Sequence, residues 1–136
     1  MTHKFPSDDW IKAMVVAVNE SESYRKSAER WEGDFYFVVE PGPGLADTKV
    51  LYLDLWHGEA RDGFEVADES VQDPEFVIRA PIGTWRRVIE KKLDPIQGMI
   101  TGQLKLKGTM SKIMRFPKAA SELVTCATQV PTDFPS

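Results

Sequence analysis

The chain has 136 residues, 42% hydrophobic and 28% charged, with a formal net charge of −4 at pH 7: one ordinary globular domain with enough length for a substantial core. One cysteine, Cys126, and two histidines, His3 and His57, exclude an internal disulfide and leave no cysteine-rich or multi-histidine metal site. No apolar run approaches the ~20 residues of a membrane span, the amino terminus has no apolar signal core, which points to the cytoplasm, and a pI of about 5.2 speaks against nucleic acid as a partner.

In chain order, Ser7 predicts an N-cap, followed by a helix in which Ile11, Met14, Val15 and Val18 share one face and Asp8 and Asp9 oppose the positive end of the dipole. Tyr24, Ala28 and Trp31 predict a second helix closed by Gly33. Strands are expected over 35–40, 50–56, 59–66 and 75–80, with Pro41 to Gly44 as a loop and His57-Gly58 as a hairpin turn. Pro81 opens a helix carrying Trp85, Val88, Ile89 and Leu93 on one face.

The segment 93–106, LDPIQGMITGQLKL, is the densest in signals. Asp94 and Pro95 read as N-cap and first helical residue, Ile96, Met99 and Ile100 fall on one face, Gly102 ends the helix, and 103–107 alternates as a strand does until Gly108. Both glycines bracket sharp changes of direction, so at least one is expected at positive φ. A short helix with Met110, Ile113 and Met114 on one face follows, and Pro117 separates it from another whose apolar positions are Ala120, Leu123, Val124 and Ala127. Strands in sequence, flanked by helices, predict an α+β domain with a largely antiparallel sheet covered on one side.

Charge is unevenly distributed. Residues 81–118 hold nine Lys and Arg against Glu90 and Asp94, a balance of +7, which leaves −11 for the rest of the chain. Two readings fit: a hydrocarbon pocket rimmed by cations and suited to a long-chain anion or an anionic membrane surface, or the solvated faces of amphipathic helices. Groups suited to catalysis are sparse. His3 lies in a terminus expected to fray, His57 sits in a turn, and Pro41-Gly42-Pro43-Gly44 lacks the amide donors of a phosphate cradle. No enzyme, cofactor or metal is expected.

The tract from Phe76 to Val124, with Trp85, Leu93-Asp94-Pro95, Ile100-Thr101-Gly102 and Gly102-Gln103-Leu104-Lys105-Leu106-Lys107-Gly108, resembles the sterol carrier protein type-2 family. Lys91-Lys92 departs from it where many members have a glycine, Thr109 replaces the common Asp or Asn, and the carboxyl end lacks the peroxisomal tripeptide of the eukaryotic carriers. The resemblance implies a five-stranded, largely antiparallel sheet covered on one face by about five helices. Between them a hydrophobic tunnel would hold a sterol, fatty acid, acyl-CoA or phospholipid chain. Its lining would be Trp85, Ile89, Ile96, Met99, Ile100, Leu104, Leu106, Met110, Ile113, Met114 and Phe116. Plain core is the alternative, strongest for Ile89 and Leu104, whereas three of the four internal methionines gather here and methionine adapts to ligands of varied shape. The function implied is non-catalytic lipid binding and transfer, with transient contact to an anionic membrane or a partner enzyme. The alternative is an accessory or dimerisation module that presents a lipid-like substrate to that enzyme.

Overall fold

The computed structural model describes residues 2–135. Its elements run β1 (His3–Lys4), α1 (Asp8–Glu20), α2 (Glu22–Ser27), β2 (Glu32–Glu40), β3 (Lys49–Trp56), β4 (Glu59–Val66), β5 (Phe76–Pro81), α3 (Ile82–Ile89), α4 (Pro95–Ile100), β6 (Lys105–Lys107), α5 (Met110–Met114), α6 (Pro117–Thr128) and β7 (Thr132–Asp133). The main sheet has the order β4-β3-β2-β5-β6, antiparallel except for the parallel pair β2 and β5. The domain is therefore α+β with five strands, as expected, and with six helices.

Caps read from the sequence hold the helix starts. The Ser7 hydroxyl accepts from the Trp10 amide at 3.1 Å, and the Asp94 carboxylate accepts from the Gln97 amide at 2.9 Å with Pro95 in the first turn. Helix α1 lies along the edge strand β4 and bonds it near both ends: Asp8 accepts from the Glu65 amide at 2.9 Å, while Asn19 accepts from the Ala60 amide at 2.8 Å and donates to its carbonyl at 3.0 Å. An edge open to pairing with another chain is thereby partly covered. Gly63 permits the approach, since a Cβ there would sit 2.6 Å from the Val15 side chain.

Three sequence expectations are corrected. The second helix ends at Ser27, and Gly33 lies inside β2 opposite Leu55; a Cβ there would press on Glu75, Phe76 and Trp31, so the glycine serves packing rather than helix termination. The Trp85 helix ends at Ile89, because Lys91 turns left-handed (φ 60°) and the Lys92 and Leu93 amides return to the Arg87 carbonyl; Leu93 is buried beyond that turn. The segment holding His3 is tied down rather than loose: β1 pairs in parallel with β7, and Phe5, 3% exposed, packs edge-on against Trp10 and Phe134.

The sheet separates two apolar layers. Phe35, Phe37, Val39, Leu51, Leu53 and Leu55 face the helices and join the main core. Tyr36, Val38, Val50, Tyr52 and Val66 form a smaller cluster on the opposite face, which the loop 67–75 crosses, with Gln72 exchanging two hydrogen bonds with the Tyr36 hydroxyl.

A candidate lipid site between sheet and helices

The main core is not completely filled. An apolar cavity of about 130 Å³ lies between the inner sheet face and the helices. The sheet contributes Phe35, Phe37, Leu51, Leu55 and Ile78, and the amino-terminal part contributes Phe5, Trp10, Ile11, Met14, Tyr24 and Trp31. Helix α6 closes it with Ala119, Ala120, Leu123, Val124 and Ala127.

Aromatic contacts stiffen one wall. Phe35 stacks on Trp31 at 5.7 Å and on Phe37 at 5.4 Å, Trp85 meets Phe37 edge-on at 5.6 Å, and Phe116 meets Trp31 edge-on at 5.2 Å. All three lining indoles have their N–H groups engaged: Trp85 donates to the Val38 carbonyl at 3.0 Å, Trp31 to that of Gly33 at 3.0 Å, and Trp10 to the Thr132 hydroxyl at 2.9 Å. Neither a charged side chain nor a histidine lines the cavity. Tyr24 supplies its one hydroxyl, and burial, with a smaller contribution from the neighbouring Cys126, raises that phenol above its ordinary range, so it is a neutral donor at any physiological pH.

Of the residues expected to line a tunnel, the fold brings Trp85, Ile89, Met99, Leu104, Ile113 and Phe116 to the cavity. Ile96, Leu106 and Met110 are half-buried without lining it, and Ile100 and Met114 are 55% and 48% exposed. The reason is rotational. Gly98 of α4 faces inward so closely that a Cβ would lie 2.9 Å from Leu104, which turns Ile100 out, and Met114 lies one helical step beyond the inward Ile113. Trp31, Phe35 and Phe37 were not anticipated in the site. Their signal was present as aromatics at i, i+4 and i+6 in and before a strand whose alternate residues share a face.

The basic excess is divided. Glu90 pairs with Arg86 at 3.1 Å and Lys92 at 3.4 Å, Lys112 pairs with Glu75 at 2.7 Å, and Arg87 donates to Gln103 at 3.0 Å. Lys91, Lys105, Lys107, Arg115 and Lys118 are exposed and make no ion pair among the described residues. Lys105 and Lys107 alternate with the core-facing Leu106 and so project from the opposite sheet face, away from the cavity. His57 sits in the β3–β4 turn with its Nε2 2.5 Å from the Glu32 carboxylate and its side chain about half exposed. Among the described residues no three His, Cys, Asp or Glu side chains gather as metal ligands would, and no helix is long and apolar enough to cross a membrane.

Comparison with known proteins agrees with this architecture. The family model of the SCP-2 sterol transfer family matches residues 12–121. A crystal structure of sterol carrier protein 2 is 38% identical, with 91% of this chain and 97% of that one covered and a TM-score of 0.83. The solution structure of a conserved hypothetical protein from Thermus thermophilus, a sterol carrier protein candidate, is also 38% identical, with 92% and 88% covered and a TM-score of 0.83. The apo form of sterol carrier protein 2 from Yarrowia lipolytica, 19% identical, shares the fold with a TM-score of 0.58 over 85% of this chain and 87% of that one. A search of curated proteins returns no match. With an α+β frame, an apolar cavity under its helices and a family match over most of its length, the chain belongs to the SCP-2 sterol transfer family.

Proposed function

We propose that the chain is a non-catalytic lipid carrier that shields the hydrocarbon part of a sterol, fatty acid, acyl-CoA or phospholipid between the sheet and helices α3 to α6. One observation carries this reading: the cavity wall is hydrocarbon and aromatic surface whose indole donors are already satisfied. Such a wall gains about 0.8 kcal/mol for each CH₂ it removes from water, so specificity for the hydrocarbon part is broad. A cavity of about 130 Å³ takes a small ring or a short stretch of chain. A longer ligand enters as the walls part, and the wall anchored least is α4 and α5, whose only buried residues are Gly98 and Ile113. The same two helices carry the exposed Ile100 and Met114 with Arg115 adjacent, a face suited to transient contact with an anionic membrane while a lipid is exchanged.

The test is displacement of a fluorescent fatty acid. Met99→Asp, which places a charge in the cavity wall at a half-buried position, is expected to weaken binding at least ~10-fold, since a desolvated carboxylate opposes an apolar ligand. Met114→Asp lies outside the cavity and is expected to bind like the unaltered protein. Equal loss in both variants would move the ligand to the α4–α5 surface. Absence of saturable binding, together with a protein partner retained on purification, would favour the accessory module.

A further inference from the structure

One residue of the cavity lining, Tyr24, carries a hydroxyl without a hydrogen-bond partner among the described residues, and its chemistry restricts what binds beside it. We propose that the Tyr24 hydroxyl anchors the oxygen of a neutral long-chain ligand, a fatty alcohol or ester, and thereby selects such ligands over carboxylate anions. This rests on the carrier reading and adds a determinant of specificity to it.

Tyr24 is 2% exposed and lines the cavity. Its backbone is fully engaged, the amide donating to the Ser21 hydroxyl at 3.1 Å and the carbonyl accepting from the Ala28 amide and the Ser27 hydroxyl. The phenolic oxygen makes no hydrogen bond among the described residues, and none of their enclosed side-chain oxygens or nitrogens lacks a partner. The hydroxyl therefore keeps an opening, and the space its ring lines is the cavity. Every other polar side-chain atom of the lining, the indole N–H groups of Trp10, Trp31 and Trp85, is already donating to protein oxygens.

An unpartnered hydroxyl in an apolar wall finds a strong partner there in a guest that brings an oxygen. Because no cation lines the cavity, a carboxylate bound there would meet a single neutral donor and remain largely uncompensated. The nearby Cys126 thiol, held in its neutral form by burial, adds no positive charge. An alcohol or ester loses less on entry and can accept the phenolic proton in full.

The experiment uses the full chain and diphenylhexatriene, a pure hydrocarbon reporter, displaced by 1-dodecanol, methyl dodecanoate or dodecanoate. Tyr24→Phe removes only an oxygen that bonds nothing among the described residues, so the melting temperature is expected to stay as it is, and the affinity for the hydrocarbon is the reference against which the oxygen-bearing ligands are read. The affinities for dodecanol and the ester should fall roughly 3- to 10-fold, the range of one neutral hydrogen bond. Dodecanoate should bind more weakly than dodecanol to the unaltered protein and be indifferent to the substitution. As an independent readout, the carbonyl stretch of ¹³C-labelled methyl dodecanoate should shift to lower frequency in the unaltered protein and not in Tyr24→Phe. Dodecanol binding equally well to both proteins, with no carbonyl shift, would overturn the anchor while leaving the carrier intact. Failure of the hydrocarbon and both neutral ligands to bind at all would overturn both.

Discussion

At the scale of single residues, backbone conformation explains where this chain uses glycine and where it does without it. Gly102 and Gly108 both have positive φ, 79° and 131°, and they bracket β6 because the chain must reverse direction before and after a three-residue strand. Gly108 is constrained doubly, since a Cβ there would lie 2.5 Å from the Phe76 ring, whereas Gly102 has open space around it. Lys91 adopts φ 60°, and a lysine there stores the strain of a left-handed conformation. Lys91→Gly is therefore expected to stabilise the protein by about 1 kcal/mol, less the extra freedom glycine gains on unfolding. That corresponds to a rise of roughly 2–3 °C in a thermal melt. An unchanged or lower melting temperature would show that the exposed Lys91 side chain contributes something a glycine cannot.

At the scale of elements, the docking of α1 along β4 has a titratable end. The Asp8 carboxyl is held below its ordinary value of 3.8, chiefly by the Lys12 ammonium bonded to it and then by the Glu65 amide. A carboxyl whose folded pKa is depressed adds stability above its unfolded value and loses it as the pH falls through the folded one. Because the Asp8 side chain is 47% exposed, solvent screens much of the ion pair, and the effect is modest. Asp8→Asn is expected to lower the urea midpoint at about pH 7 and to narrow the difference between about pH 7 and about pH 3. A difference of the same size in both proteins would mean that other carboxyls govern the acid limb. The amide at Asn19 secures the opposite end of α1 independently of pH, so acid should loosen the α1–β4 contact from the Asp8 end first.

At the scale of the whole molecule, the surface charge and the cavity are only partly coupled. The excess of +7 in residues 81–118 suggested a cationic rim, but Lys105 and Lys107 project from the far side of the sheet, Arg86 and Lys92 share the carboxylate of Glu90, and Lys112 pairs with Glu75. Arg87, bonded to the neutral Gln103, keeps its charge as well, and Lys91, Arg115 and Lys118, which make no ion pair among the described residues, remain for an anionic bilayer. Reversing all three to glutamate is expected to slow lipid transfer to anionic vesicles several-fold at about 0.02 M salt and to have little effect at about 0.5 M, where the screening length is a few ångströms. Reversing Lys105 and Lys107 should change little. Equal effects from both sets would show that only net charge matters, and salt-independent transfer would remove the membrane contact altogether.

Much of this was legible locally. The caps at Ser7 and Asp94, the turn at His57-Gly58, the alternation of β3 and the bracketing glycines are settled by residues within a few positions of one another, because caps, pleats and positive φ are local energetic requirements. The family resemblance drew on that same local grammar over Phe76 to Val124. Other features depended on distant partners. The β1–β7 clasp joins residues near the two ends of the chain through two paired positions, too short a pattern for any periodicity to register. The inward face of α4 was decided by Gly98 meeting Leu104, so Ile100 points to solvent although its spacing suggests otherwise. The cavity wall is likewise a tertiary product, since Trp31, Phe35 and Phe37 come from the first half of the chain and Trp85, Ile113 and Phe116 from the second. Apolar periodicity determines that a side chain leaves water. Which neighbours it meets there, and whether they leave a void or an unpaired hydroxyl such as that of Tyr24, depends on how separately formed surfaces fit, and that fit exists only once the chain has closed on itself.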